Sequence, residues 1–354
     1  MNFASDNWAG ASSKVSAALA AMGQGFSPAY GADEHSNRVK NWFSEIFECE
    51  TRVFFVATGT AANSLSLAAM AKPGGLVLCH AHSHIQMDEC GAPEFLSGGQ
   101  KLLPIPGAHG KLSADAVGAV LDRYDPANVH GGRPVGLSLT QASEAGTIYA
   151  LDDIRALSAE AHKRGLKVHM DGARFANALA TLNVSPADMT WRQGVDVLSF
   201  GGTKNGCWCA EAIVFFDLDL AEGFEFVRKR SGQLFSKSAF VAAQFEAYFE
   251  HGHWLDNAVH ANQSATRLAQ AIETSGGARL VHPVEANEIF AIWPKGLTAH
   301  LKAAGANFYL WEAPDALPGE GPGADEDMVR LVTSFATRPS DVARFMDALN
   351  QYRA

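Results

Sequence analysis

The sequence predicts an α/β fold: a mostly parallel sheet between helices, with a smaller C-terminal α+β unit. Three observations predict it. From residue 51 to 216 short apolar runs alternate with helical periods, the pattern of βαβ units. The unusual polar residues of that stretch sit at the ends of the apolar runs, where such sheets bind ligands. After about residue 217 the alternation gives way to a long helical stretch and then to a second set of strands.

Each element has its own reason. "TRVFFVATG" (51–59) is an apolar strand ending in Thr-Gly, and "TAANSLSLAAMA" (60–71) is a small-residue helix directly after it. "GLVLCHAH" (75–82) is a short strand. "SADAVGAVLDRY" (113–124) opens on a Ser N-cap and continues with a helical period. "RPVGLSLTQ" (133–141) is strand-like, and the helix at 150–165 is amphipathic and closed by Gly165. A strand at 166–174 ends in Asp-Gly, "FANALATLN" is helical, and "VDVLSFGGTKNG" and "EAIVFF" (211–216) are strands. Further on, "ARLVHPV", "EIFAIW", "NFYLWE" and "MVRLVTSF" read as strands, with a closing helix at 340–352. The domain division expected is 1–250, an N-terminal segment with the large domain, and 251–354, a small C-terminal domain.

Composition narrows the function classes. With 354 residues the length prior suggests about two domains. Hydrophobic residues at 47% and charged residues at 19% are ordinary for a folded soluble chain. A net charge of −10 argues against nucleic acid as a partner. There is no apolar span long enough for a membrane helix. The start "MNFASDNWAG" lacks the layout of a signal peptide, so a cytoplasmic location is expected. Five cysteines (Cys49, Cys79, Cys90, Cys207 and Cys209) without framework spacing suit free thiols in a reducing compartment.

The chemistry-bearing residues form a pattern. "ATGTAANS" (57–64) places Gly59 and Thr60 between a strand and a helix, which suits either a phosphate site or an ordinary capped helix start. Asp171 in "HMDGAR" ends a strand, where a carboxylate caps a helix, binds a metal or pairs a cation. Lys204 in "FGGTKNG" ends the next strand, and a lysine held there needs pairing or a chemical use. His80, His82 and His84 alternate, which raises a zinc site and a metal-dependent hydrolase as a competing class. No H-E-x-x-H motif accompanies them, the strand is expected to end by about His80, and no metal site is expected. Phosphate site, aspartate and lysine together suggest pyridoxal 5′-phosphate, with a Schiff-base lysine and a carboxylate for the ring nitrogen.

"FASDNWAG", "NSLSLAAM", "DECGAPEF", "HMDGARFANA" and "FGGTKNG" closely resemble the pyridoxal-phosphate-dependent L-threonine aldolases, nearest the low-specificity bacterial branch that also accepts phenylserine. The resemblance runs from about Phe3 to "RLVTSF". It implies the fold type I architecture, with a mixed, mostly parallel sheet in the large domain, and a homodimer or homotetramer with sites at subunit interfaces. It also implies retro-aldol cleavage of an L-β-hydroxy-α-amino acid to glycine and an aldehyde. Residue by residue, Lys204 matches the cofactor lysine, Asp171 the partner of the ring nitrogen and Arg174 the residue near the phenolic oxygen. His84 matches the ring-stacking histidine and candidate base, while Gly59 and Thr60 match phosphate-loop positions. Ser5 and Arg330, with Arg174, match substrate-carboxylate groups. Lys237 lies near a basic residue that reaches a neighbouring subunit's phosphate. Many members carry a second histidine after the "LSL" strand. Here Glu144 falls about there, so a carboxylate, a water or His84 alone handles the β-hydroxyl proton. Phe3, Trp8, Phe26 and Tyr30 either line an aromatic-friendly pocket or belong to the core. The alternatives are another fold type I lyase or transaminase, then the metal hydrolase, then a non-catalytic binding protein.

Overall fold

In the computed structural model, residues 1–125, 127–312 and 321–352 are described. Seven strands make the main sheet: β1 (Arg52–Val56), β2 (Gly75–His80), β3 (Lys101–Ile105), β4 (Arg133–Thr140), β5 (Lys167–Gly172), β6 (Val197–Gly201) and β7 (Glu211–Phe215). Their order is β1-β7-β6-β5-β4-β2-β3. β7 runs against both its neighbours, and every other pairing is parallel. The strands β2, β5, β6 and β7 are almost wholly buried because helices cover both faces, which explains their uninterrupted apolar runs.

β3 has no counterpart among the strands expected from the sequence. It is an edge strand paired with β2 alone, and Pro104 within it suits an edge, where a missing N–H interrupts no ladder. Residues 13–46, which carry no predicted element, form the helices Ser13–Met22 and Glu34–Ile46, capped by the side chains of Ser12 and Asp33.

A second, antiparallel sheet consists of β8 (Arg279–Leu280), β9 (Glu288–Pro294), β10 (Tyr309–Leu310) and β11 (Glu326–Val332), in the order β10-β11-β9-β8. The strands expected around "ARLVHPV" and "NFYLWE" contract to two residues each. The 22-residue helix His253–Thr274 packs against this sheet, against the closing helix Pro339–Gln351 and against the helix Phe175–Leu182 of the larger unit. The first residues of the chain join the second sheet. Phe3 donates its N–H to Asn307 O (2.8 Å) and accepts from Val332 N (2.8 Å), and its ring is buried in the second core.

The main core is unusually aromatic around β6. Phe200 meets Phe43, Phe175 and Trp254 with ring centroids 5.2, 5.5 and 5.8 Å apart. This cluster sits one turn before Lys204, so the end of β6 is held by packing on all sides.

Candidate active site

The ends of β5 and β6 deliver Asp171 and Lys204. Asp171 is buried at the end of β5. Its Oδ1 accepts from Ala173 N (3.0 Å) and its Oδ2 from Asn63 Nδ2 (2.9 Å). Gln141 N donates to the Asp171 carbonyl (2.8 Å), tying in the loop after β4.

Lys204 lies on a single 3₁₀ turn, Thr203–Asn205, directly after β6. The glycines before it permit close approach. A Cβ on Gly201 would stand 2.7 Å from Ala173 O, and one on Gly202 would stand 2.7 Å from Ala210 O. Without side chains at 201 and 202, the lysine turn rests directly on the turn that carries Asp171 and Arg174. Asn205 then locks it, donating to Tyr248 Oη (2.7 Å) and Trp254 O (2.8 Å), while its own carbonyl accepts from Asn257 (2.9 Å). Lys204 itself is half-buried, and its amine forms no hydrogen bond or ion pair with the described residues. Behind the turn, Glu211 Oε1 accepts from Thr203 N (3.2 Å). Burial pushes the Glu211 carboxyl up to about 7, against the pull of Thr203 and Lys204.

His84 begins the short helix His84–Met87 beyond β2. Its Nδ1 lies 2.8 Å from Glu89 Oε1, and Asn63 Nδ2 donates to that same oxygen (2.8 Å). A continuous chain therefore runs His84–Glu89–Asn63–Asp171. The hydrogen bond to Glu89 raises the His84 pKa against the effect of burial, with Glu144 and Asp171 adding to the rise. Burial raises the Glu89 pKa in turn, and its Oε2 has no partner among the described residues. Of the other two histidines, His80 is buried at the end of β2, its Nε2 3.0 Å from Gly107 O and its Nδ1 accepting from His82 N, and the His82 ring packs edge-on against it at 5.5 Å. Among the described residues no group of three or more His, Cys, Asp or Glu is placed to hold a metal.

Arg174 is held between two buried carboxylates. Its Nε and Nη2 donate to Asp6 (2.8 and 3.2 Å), and its Nη1 lies 3.0 Å from Glu288 Oε2. Three of its five N–H groups face these carboxylates, which leaves one on Nη1 and one on Nη2 for a cofactor oxygen or a substrate carboxylate. Asp6 arrives because the N-terminal segment is stitched to β11, and Asn287 Nδ2 also donates to it (3.0 Å). Burial pushes Asp6 up, but Arg174, Lys204 and Asn287 together hold it below the usual carboxylate range. For Glu288 burial prevails over Arg174, and its pKa is raised. Beside Asp6, Ser5 caps the turn Asp6–Trp8, accepting from Asn7 N (3.1 Å), which leaves its O–H able to donate.

Arg330, on β11, is stacked on Trp311 with its guanidinium carbon 4.3 Å from the ring centroid, and Tyr309 lies 5.7 Å away. Its Nε is buried and unpartnered among the described residues, a donor in want of an anion. Glu144 sits half-buried on the loop after β4, and its charge acts on His84, Arg174 and Glu288. Lys237 is exposed between the helices Phe224–Arg230 and Ala239–Phe249 and makes no side-chain bond to this cluster within one copy. Of the four aromatic residues singled out, Phe3 belongs to the second core, whereas Trp8, Phe26 and Tyr30 are exposed.

The residues present fit pyridoxal phosphate. The helix Gly59–Ala69 is capped by Thr58, whose Oγ1 accepts from Ala61 N (3.1 Å). The amides of Gly59 and Thr60 have no acceptor among the described residues and suit a phosphate. A carboxylate, an unpaired lysine and a histidine complete the donor set. Asp6, Asn63, Glu89, Glu211 and Glu288 belong to the same cluster; the first three lie inside the stretches that carry the family resemblance but have no assigned role there, and the last two lie in none of those stretches.

A family model described as "Beta-eliminating lyase" matches residues 2–294. The low specificity L-threonine aldolase of Pseudomonas aeruginosa is 44% identical over 310 residues, which cover 87% of this chain and 89% of that protein. The chain belongs to the threonine aldolase family. A second relative, the low specificity L-threonine aldolase of Pseudomonas sp., is 42% identical over the same shares of the two chains. The threonine aldolase structure from Leishmania major superposes with a TM-score of 0.91 at 25% identity, covering 99% of this chain and 98% of that one. The architecture of the family, a mostly parallel seven-stranded sheet between helices, is that of fold type I pyridoxal-phosphate enzymes.

Proposed function

We propose that this chain is a pyridoxal-phosphate-dependent aldolase. It cleaves L-threonine, L-allo-threonine and related L-β-hydroxy-α-amino acids between Cα and Cβ, giving glycine and an aldehyde. The observation that carries this is the convergence of an unpaired Lys204 and a buried Asp171 at two adjacent strand ends, in a chain 44% identical to a curated low specificity L-threonine aldolase. Bound there, pyridoxal phosphate supplies an electron sink for the bond to Cα.

The chain's own groups divide the remaining work. Lys204 is the residue to hold the cofactor covalently, Asp171 the one to pair its ring nitrogen, and the Gly59 and Thr60 amides suit its phosphate. Arg330, already oriented by Trp311, is the clamp for the substrate carboxylate, with the Ser5 hydroxyl as second donor and Arg174 behind it. Fixing that carboxylate decides which bond at Cα is broken. His84, through Nε2, is the base for the β-hydroxyl proton. Glu144, whose charge reaches His84, stands where it favours the protonated imidazole. Within a homodimer or homotetramer, Lys237 is the residue offered to a neighbouring copy's phosphate. The cytoplasm is the location that fits free thiols.

The test is aldehyde release by the purified, cofactor-loaded protein from L-threonine, L-allo-threonine and L-phenylserine, with Lys204→Ala beside it. Aldehyde and glycine in equal amounts, lost by at least about a thousandfold in the variant, are expected, since the lysine's role is covalent. No aldehyde from any of the three substrates, with yellow cofactor still bound, would sink the assigned reaction.

A further inference from the structure

The His84–Glu89–Asn63–Asp171 chain contains two residues that the assigned reaction does not name. Glu89 has a fully buried side chain, yet only its Oε1 is partnered, by His84 Nδ1 and by Asn63 Nδ2, both at 2.8 Å. Asn63 is also buried, and both hydrogens of its amide are spent, one on Glu89 and one on Asp171 Oδ2. That arrangement dictates the amide's orientation, because the reverse would point its oxygen at two carboxylates. Oε1 of an ionised Glu89 accepts and cannot donate, so His84 carries its proton on Nδ1 and presents a lone pair at Nε2.

We propose that Glu89 is the positioning residue for His84, the two forming a base dyad in which Asn63 orients the carboxylate and links it to the ring-nitrogen residue Asp171. The dyad sets the imidazole's tautomer and plane and stabilises the imidazolium formed when Nε2 takes the β-hydroxyl proton. That proton moves from substrate oxygen to Nε2, and the Glu89 charge compensates the new positive charge without itself taking a proton. The groups facing His84 are Glu89, Glu144 and Asp171, which favour its charged form, and Lys204, which opposes it. This inference rests on the reading of His84 as the base.

The test uses the holoenzyme with ¹⁵N- and ¹³C-labelled histidine, the His84 signals being assigned by their loss in His84→Gln. In the wild type the nitrogen pattern should place the neutral ring's proton on Nδ1. In Glu89→Gln, which keeps size and one acceptor but loses charge, the His84 titration should move to lower pH. The acid limb of the kcat/KM profile should move with it. kcat should fall by about 10- to 100-fold, within the range of general-base effects, with KM within about threefold. A wild-type ring protonated on Nε2 would overturn the proposal without any variant being needed. So would a Glu89→Gln titration that superimposes on wild type, or a loss confined to KM. Failure of the aldolase reading itself is seen separately, as absence of aldehyde from the wild type, and leaves the spectroscopic arm intact.

Discussion

Asp6→Asn isolates the contact that joins the N-terminal segment to the site. The Asp6 carboxylate is 2% exposed and takes three hydrogen bonds, two from Arg174 and one from Asn287. An asparagine of the same shape keeps two of them if its oxygen takes the place of Oδ2. Its NH₂ then faces Arg174 Nη2, donor against donor. Removing one partner of a buried ion pair costs about 3–5 kcal/mol when the other charge is stranded. Here Glu288 remains 3.0 Å from Nη1, so the loss should be nearer that of a charge-assisted bond, about 2–3 kcal/mol. At roughly 2 °C per kcal/mol for a chain this large, the Tm should fall by about 5 °C. The pH dependence supplies a second check. Asp6 has a depressed folded pKa, so its contribution is complete above the unfolded value of about 3.9 and is lost as pH falls through the folded value. Thermal melts followed by circular dichroism should show the full gap between wild type and variant at pH 5 and 7, and a narrowing gap below pH 4. A variant that melts within about 1 °C of wild type at pH 7, or a gap that widens in acid, would refute the reasoning.

Two other perturbations probe the walls of the site. Gly146 has φ +72°, and a Cβ there would lie 2.9 Å from Glu288 O, so Gly146→Ala should destabilise the chain by about 2–3 kcal/mol and lower kcat by displacing the loop that bears Glu144; unchanged urea midpoint and kcat would contradict the packing described. Glu211 has a raised folded pKa of about 7, so the folded chain holds a proton that the unfolded chain has already lost between about pH 4.5 and 7, and stability falls as pH rises across that window. Glu211→Gln removes that penalty and should gain on wild type between pH 5 and pH 8 by up to about 3 kcal/mol in urea melts; an equal difference at both pH values would show that Glu211 is ionised in both states.

Much of the site was legible in the chain because local rules suffice for it. An apolar run ending in Asp-Gly or Gly-Gly-Thr-Lys declares a strand and its polar end, and alternating helices place such ends on one edge of the sheet. Asp171, Lys204 and the Gly59–Thr60 helix start follow from that alone. The resemblance to threonine aldolases added Ser5, His84, Arg174 and Arg330. What no local rule reaches is which group each of these meets. Asp6 finds Arg174 across 168 positions because the first residues pair with β11, and Asn63 finds Asp171 across 108 because the helix after β1 packs against β5 and β6. His84 and Glu89 are close in sequence, but a spacing of five matches no helical or strand period, and the turn between them brings the pair together. The glycines at 201 and 202 let two backbones touch, which places Lys204 beside the turn that follows Asp171. Most of the main-sheet strands and the candidate reacting groups follow from short-range chain chemistry, whereas the edge strand β3, partners, burial and the resulting charge states depend on contacts that exist only once distant segments have packed.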